Sequence, residues 1–311
     1  MFTQDVLTSS YGVSIIILTR NAGRLFKEVL SGLFACTGID EAEIILIDSG
    51  SQDLTLHYAS QYPQIQVHQV PRGDFGHGRT RNLGARLATG DILVYLVQDA
   101  TPATADFLAR LAAPLSNPRV VAAYGRQLPR ASTNPIEKLF LQTTYPARPQ
   151  LRDVNSSRKG TLRSIFFSNV CSAIKREIWK SVPFDEGLIM SEDQKWAKEV
   201  LQNGYAIAYE PAATVFHSHN YGLRVTFQRN FDSGYSLRGV VTDSFSEMVH
   251  YEVDHVLAGI KQLVHDGNTR WIPYFFCYEV ARSMGFFWGT NSHLLPSSAN
   301  YHLSLHKFYW K

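Results

Sequence analysis

The sequence predicts an α/β protein in which a mostly parallel sheet, covered on both faces, is followed by a helical extension. In the first half, short β-branched runs alternate with amphipathic stretches, the pattern of strand–helix–strand units. Several of the strand candidates end in polar and acidic clusters, and the carboxyl ends of parallel strands are where ligands gather. Beyond Tyr221 the chain turns helical and aromatic-rich. The expected division is 1–220 for the sheet domain and 221–311 for the extension.

Each element has a local cause. Val13–Leu18 is short and β-branched, so it reads as a buried strand. Asn21 is placed to cap a helix that carries Leu25, Val29, Leu30, Leu33 and Phe34 on one side and stops by Gly38. Glu43–Ile47 and Ile65–Val70 are the second and third strands, and Thr80–Ala88, ended by Gly90, is a short helix. Ile92–Val97 and Val120–Tyr124 are the fourth and fifth strands. Ala131–Arg163 contains Pro135, Pro146 and Pro149 and the polar run Asn155–Gly160. It reads either as a mobile loop able to close over a ligand or as a solvated connection. Ser168–Ile174 returns to apolar structure. Asp193–Gln202 is a helix with Trp196, Val200 and Leu201 as its apolar side, and Ala206–Glu210 is a last short strand.

Bulk properties narrow the function. The chain has 311 residues, 45% of them hydrophobic, enough for one large core with an appendage or for two domains. A net charge of +3 makes no case for nucleic acid as a partner, and a phosphate-bearing ligand needs only a local basic site. Cys36, Cys171 and Cys277 are odd in number and far apart. They indicate neither a disulfide framework nor a zinc knuckle and fit a reducing cytoplasm. Met1–Tyr11 is polar and lacks a signal-peptide pattern. Trp271–Trp288 comes nearest to a membrane span, but Pro273, Glu279 and Arg282 interrupt it.

Candidate site residues cluster at the strand ends. Thr19-Arg20-Asn21 follows the first strand, and Asp48-Ser49-Gly50-Ser51-Gln52-Asp53 closes the second. Asp48 is placed to accept the imide N–H of a uracil or thymine ring, and Ser51 to cap the next helix; Asp53 is either a ligand contact or a first-turn acid favoured by a helix dipole. Arg72–Asn82 packs glycines, arginines and His77 ahead of a helix, either an anion-binding loop or a solvated basic turn. Gln98-Asp99 ends the fourth strand, where an acid suits a hard divalent cation bridging two phosphates, or caps the helix entered through Thr101-Pro102. His217 and His219 alternate along an extended segment and so share a side. They are candidates for a metal site, for phosphate contact, or for ordinary core histidines. Arg224 and Arg229 either neutralise a leaving diphosphate or lie on a solvated face. Asp193 is either a catalytic base or a helix N-terminal acid beside Glu192.

Thr19-Arg20-Asn21, Asp48–Asp53, Asn82-Leu83-Gly84-Ala85, Gly90–Asp99 and Glu192-Asp193 with Trp196 together resemble family 2 glycosyltransferases of the GT-A fold, over roughly residues 11–220. The variants Phe75–Asn82, Gln98-Asp99-Ala100 and His217–Asn220, and the closing Leu303–Trp310, are similar to the bacterial rhamnosyltransferase branch. The resemblance implies inverting transfer of a sugar from a nucleoside diphosphate sugar, with dTDP-rhamnose as leading donor. The acceptor would be a glycan or polyprenyl-linked glycan of a bacterial surface polysaccharide, and the cofactor a divalent cation, Mg2+ or Mn2+. Asp48 would read the base, Asp99 would stand as the metal-side acid of the family's Asp-x-Asp motif, and Asp193 would deprotonate the acceptor. Thr19, Arg20, Asn21, Ser49, Asp53, His77, Gly78, Arg79, Arg81, Asn82, Gln98, Arg224 and Arg229 would line the donor side; Glu192 and Trp196 would line the acceptor side. The earlier acid of the motif aligns with Val97. That departure fits a thymidine donor, whose deoxyribose has no 2′-hydroxyl to bind.

Two other functions share the fold: a sugar nucleotidyltransferase and a non-catalytic glycan-binding protein. Thr19–Gly23 is lean for the first, and the pair Asp99 and Asp193 argues against the second. The aromatic stretch Trp271, Tyr274, Phe275, Phe276, Tyr278, Phe286, Phe287 and Trp288, with Lys307 and Lys311 nearby, suits a membrane interface, a helical core or a homodimer contact.

Overall fold

The computed structural model describes residues 12–158, 161–240 and 245–310, the stretch 245–253 by its backbone. Met1–Tyr11, the Lys159-Gly160 end of the expected loop, and Lys311 lie outside the described residues. Strand β1 (Val13–Thr19) leads into helix α1 (Gly23–Phe34), β2 (Glu43–Asp48), α2 (Thr55–Ala59), β3 (Ile65–Gln69), α3 (His77–Leu87) and β4 (Ile92–Val97). Then follow β5 (Thr101–Pro102), α4 (Phe107–Ala112), β6 (Val120–Leu128), α5 (Pro135–Thr144), β7 (Gln150–Arg152) and α6 (Val154–Arg158). The sheet-forming part closes with β8 (Cys171–Lys175), α7 (Arg176–Ser181), α8 (Glu192–Gln202) and β9 (Ala206–Phe216). Helices α9 (Leu223–Ser236), α10 (Phe245–His265), α11 (Ile272–Thr290) and α12 (Ser297–Leu303) complete the chain.

The strands form one sheet in the order β3-β2-β1-β4-β8-β6-β9-β5, with β7 on β9. Its first four strands are parallel: Ile16 of β1 lies opposite Ile45 of β2 and Tyr95 of β4. Ile15, Ile16 and Ile17 are all fully buried, because helices cover both faces and no polar alternation is required. One face packs Phe26, Val29, Leu30 and Leu33 of α1; the other packs Trp196, Val200 and Leu201 of α8. The sheet as a whole is mixed rather than mostly parallel: β8 runs antiparallel to β4 and to β6, and β5 and β7 run antiparallel to β9. The expected fifth and last strands are longer than their apolar runs, since β6 and β9 pair across a register shift through Arg126↔Thr214 to Leu128↔Phe216.

The segment 131–163 is not a loop throughout. Asn134 Oδ1 accepts the Glu137 N–H at 2.9 Å and Pro135 occupies the first turn of α5. These are helix-start signals, and the proline marks an entry rather than a break. Ile136 and Leu139 of α5 pack with Leu263 of α10 and Phe275 of α11 in a small second core, so Phe275 belongs to the helical-core reading. Phe276, Val280, Met284 and Phe287 stay exposed at helical spacing on α11. Among the described residues no helix is long and apolar enough to cross a membrane.

Helices α9 and α11 meet backbone to backbone. A Cβ at Gly289 would overlap the Phe231 carbonyl oxygen, and one at Gly285 the Phe227 carbonyl oxygen. Gly289→Ala is expected to destabilise the fold by about 1–3 kcal/mol, the usual range for overpacking. Gly73→Ala, whose Cβ meets nothing within 4 Å, is expected to stay within about 0.5 kcal/mol. Urea denaturation of the two variants checks the contrast.

Candidate active site

The ends of β1 and β2 are tied into one polar knot. Asp48 is fully buried. Its Oδ2 accepts the N–H groups of Gly50 (3.0 Å) and Ser51 (2.9 Å), and its Oδ1 accepts the hydroxyls of Thr19 (3.2 Å) and Ser51. Those bonds use the lone-pair capacity of a carboxylate, so Asp48 builds the turn and presents no free oxygen to a base. Ser49 is equally buried and donates to the Thr19 carbonyl at 3.1 Å. Asn21 does not cap α1. It adopts φ 45° and bridges to the facing turn, its N–H to Ser51 Oγ (2.8 Å) and its Oδ1 from Gln52 N–H (2.8 Å). Ser51 caps no helix either, being spent on Asp48 and Asn21. The acid that holds the start of α1 is Asp53, whose Oδ2 accepts the Gly23 N–H at 2.8 Å. Hydrogen bonds from Thr55 hold the Asp53 carboxyl below its usual range. Gln98 clips Arg20 from both sides, accepting its N–H at 2.7 Å and donating to its carbonyl at 3.3 Å.

Asp99, His217 and His219 converge. Their ligand atoms all lie within 4.8 Å of one another. His217 Nε2 is 3.5 Å and His219 Nε2 is 3.3 Å from the Asp99 carboxylate, and the two Nε2 atoms are 3.0 Å apart. Gln127, on the part of β6 that exceeds its apolar run, orients the His217 ring: its Oε1 lies 2.8 Å from His217 Nδ1, while its Nε2 donates to the Tyr145 hydroxyl and to Ser168 Oγ. His217 thus turns Nδ1 to Gln127 and Nε2 to the cluster. Burial, with His217 alongside, lowers His219 to about 4. Burial pushes Asp99 up, but the His217 hydrogen bond and the two imidazoles outweigh it and hold the carboxyl below its usual range. Near neutral pH the carboxylate is ionised and His219 is neutral, and with the His217 Nε2 turned to the same point this donor set fits a divalent cation. Arg130 and Glu137, absent from the sequence-based candidates, brace this cluster. Arg130 Nη2 donates to the Asp99 carbonyl at 2.9 Å and to the Phe216 carbonyl at 3.0 Å, and Glu137 Oε1 accepts the His219 N–H at 3.3 Å.

Asp193 stands across the neighbouring strand ends. Its Oδ2 accepts the Asn169 N–H at 3.2 Å, and the Val97 N–H donates to the Val170 carbonyl at 3.0 Å. The segment that enters β8 thus holds the acid beside the strand end that carries Gln98-Asp99. Ser191 adopts φ 62° immediately before α8, a left-handed conformation that costs a serine about 1–3 kcal/mol and concentrates at functional sites. Burial, then the Glu192 charge, raises the Asp193 carboxyl to about 7, with Arg81 opposing. Glu192 is buried and ion-paired with buried Arg81, so it does not face an acceptor.

A family model described as Glycosyl transferase family 2 matches residues 14–182. The chain belongs to glycosyl transferase family 2. It is 32% identical to the O-antigen chain rhamnosyltransferase RfbN of Salmonella typhimurium over 302 residues, 96% of each chain. It is 30% identical to the O-antigen chain rhamnosyltransferase WbaN of Salmonella anatum, over 96% of this chain and 95% of that one. A mannosyltransferase from Pyrobaculum calidifontis, solved with GDP-Man and Mn2+, shares the fold at TM-score 0.64 and 19% identity, over 91% of this chain and 88% of that one.

Not every expected residue of this family 2 glycosyltransferase reaches the cleft. Trp196 is core: it is 1% exposed, donates to the Val182 carbonyl at 2.7 Å and packs on Phe167 and Phe184. Asn82 is an internal hub, accepting from Trp179 Nε1 (2.9 Å) and Phe184 N–H (3.1 Å) and donating to the Phe184 carbonyl (2.8 Å). Gly78 lies so close to the Asp185 carbonyl that a Cβ would overlap it. Arg79 faces Glu186 at the surface, and Arg224 is exposed on the first turn of α9. Arg229 is nearer the chemistry. Its guanidinium lies 4.8 Å over the Tyr221 ring, which stacks on His219, and its charge acts on both His219 and His77. Partly buried His77 is pressed well below the usual imidazole range by burial and by Arg81.

Arg81→Met leaves Glu192 buried without its counter-charge and is expected to destabilise the protein by about 3–5 kcal/mol. Arg79→Met at the exposed pair is expected to change stability by about 0–1 kcal/mol. Chemical denaturation at neutral pH reads both.

Proposed function

We propose that this family 2 glycosyltransferase transfers L-rhamnose, with inversion, from dTDP-rhamnose to a hydroxyl of a polyprenyl-linked glycan in O-antigen synthesis. The observation that carries the sugar and the pathway is likeness along 96% of the chain to two O-antigen chain rhamnosyltransferases. Val97 supports the base. It occupies the place of the family's ribose-side acid at the end of β4, and an apolar side chain there suits a deoxyribose.

The acceptor hydroxyl gives its proton to the Asp193 carboxylate as its oxygen attacks the anomeric carbon. The bond from that carbon to the diphosphate oxygen breaks on the opposite side, and the diphosphate leaves with the electron pair. Asp99, His217 and His219 would hold a divalent cation, which when bound would supply charge neutralisation for the departing diphosphate. Two imidazoles beside one carboxylate favour Mn2+ over Mg2+, which prefers oxygen ligands. Arg229, next to this cluster, adds positive charge on the same side. Gln98 and the Asn21–Gln52 bridge fix the loops around the nucleotide.

A polyprenyl-linked acceptor would be met at the cytoplasmic face of the inner membrane, which supports reading the protein as peripheral there. The exposed stripe Phe276, Val280, Met284 and Phe287 is the surface we assign to lipid contact, with self-association through it as the competing arrangement. Flotation with anionic vesicles, read beside sedimentation of the free protein, separates the two.

Asp193→Asn is expected to lower kcat by about 10²–10⁴-fold while donor binding stays near wild type; unchanged turnover removes Asp193 from the base role. Because the base works only when ionised, wild-type kcat should fall about tenfold per pH unit below the raised Asp193 pKa of about 7 and level off above it. A pH–rate profile flat from 5 to 8 counts against this. In a thermal-shift panel, dTDP with Mn2+ is expected to raise Tm more than UDP with Mn2+ or dTDP with EDTA; equal shifts for the two bases reject the thymidine assignment.

A further inference from the structure

One face of α9 gathers two segments that are distant in sequence. Ser191 Oγ donates to Ser233 Oγ at 3.2 Å and the Met190 N–H donates to Ser236 Oγ at 3.3 Å, which secures the entry to Asp193. Alongside, fully buried Asp232 accepts at Oδ2 the N–H groups of Leu305 and His306, both at 3.1 Å, and lies 2.9 Å from His306 Nδ1. The Tyr309 hydroxyl donates to the Gly187 carbonyl at 2.9 Å. Residues 304–310 are therefore clasped to the loop that leads into the catalytic helix.

His306 stands in a particular place. Its ring meets His77 edge-on with centroids 5.7 Å apart. Along α9, Arg229 adjoins the Asp99–His217–His219 cluster, Asp232 holds His306, and Ser233 and Ser236 hold the Asp193 loop. The imidazole thus adjoins His77, on which both Arg81, the neighbour of Asp193, and Arg229, the neighbour of His219, also act. A carboxylate on Nδ1 fixes the ring orientation and keeps the proton of that nitrogen engaged. Nε2 has no hydrogen-bond partner among the described residues, although the side chain is only 17% exposed.

We propose that His306 is a donor-site residue whose ring, carrying a proton on each nitrogen when the diphosphate is bound, donates its Nε2–H to a β-phosphate oxygen, with Asp232, which accepts the Nδ1–H, as its positioning residue. This rests on the glycosyl-transfer reading above and adds to it a second phosphate contact on the side away from the cation. The residue arrives in the site from the helical extension rather than from a strand end of the sheet.

The test is titration calorimetry of wild type, His306→Ala and His306→Gln with dTDP and dTMP, each in Mn2+, with UDP and UMP in parallel. A β-phosphate contact predicts that His306→Ala weakens the diphosphate about tenfold, the size of a charge-assisted hydrogen bond, and leaves the monophosphate unchanged. The glutamine variant, which keeps an N–H donor, should recover part of the loss. Asp232→Asn, still able to accept the backbone N–H groups, should show the same selective loss. Equal binding of diphosphate by His306→Ala and wild type overturns the proposal. So does an equal loss of diphosphate and monophosphate, the signature of a merely structural residue. Failure of wild type to bind any of these nucleotides would instead reject the functional reading on which the proposal stands.

Discussion

The antiparallel insertion of β8 between β4 and β6 is the constraint on which the site depends. A fully parallel sheet would leave the start of each strand on the face opposite the ligand cleft. Because β8 runs the other way, its beginning, not its end, lies beside the carboxyl end of β4. The Asn169 N–H that holds Asp193 and the strand end that leads to Asp99 are neighbours for that reason. The same reversal lets β6 and β9 run parallel beyond β8 and extend to Leu128 and Phe216, which delivers Gln127, His217 and His219 to the same edge.

Two kinds of charge management follow. At the Asp99–His217–His219 cluster, charges and hydrogen bonds outweigh burial for Asp99, so the carboxylate stays ionised. At Asp193 burial wins, and a neighbouring acid adds to it. The Arg81–Glu192 pair beneath moderates that rise: Glu192 alone would push Asp193 higher, and Arg81 draws it back. One ion pair thus supports the fold and tempers the Asp193 carboxyl. This explains why an arginine of the glycine-rich segment is committed to the interior instead of to phosphate.

Legibility in sequence followed the range of the interactions. The strands of the parallel half stood out because burial on both faces makes Ile15–Ile17, Ile44–Ile47 and Leu93–Leu96 continuous apolar runs. The Asp99–His217–His219 grouping was readable because strand ends gather in such sheets and alternate residues share a side. Asp48 was misread because its turn partners, Gly50 and Ser51, saturate it locally. Glu192, Asn82 and Trp196 were misread because what occupies them (Arg81, the Phe184 backbone and the Val182 carbonyl) is brought near only by the tertiary fold. Asp232 and His306 share no local pattern with any strand-end motif, and nothing short of the folded path of residues 304–310 joins them. In 131–163 the prolines and the polar run point to a loop or connection, whereas Asn134-Pro135 followed by Glu137 is a helix entrance.

The bare-backbone seam between α9 and α11 has a mechanical meaning. With Gly285 and Gly289 seated on the carbonyls of Phe227 and Phe231, no side chain lies there to re-rotamerise and absorb strain. The two helices must travel as one stiff lever. Its outer arm shows Phe276, Val280, Met284 and Phe287 to the surroundings, and its inner arm carries Arg229 and Asp232. Anything that seats the outer arm therefore also fixes the pose of Arg229 and Asp232, so a contact at one end of the lever is felt at the other.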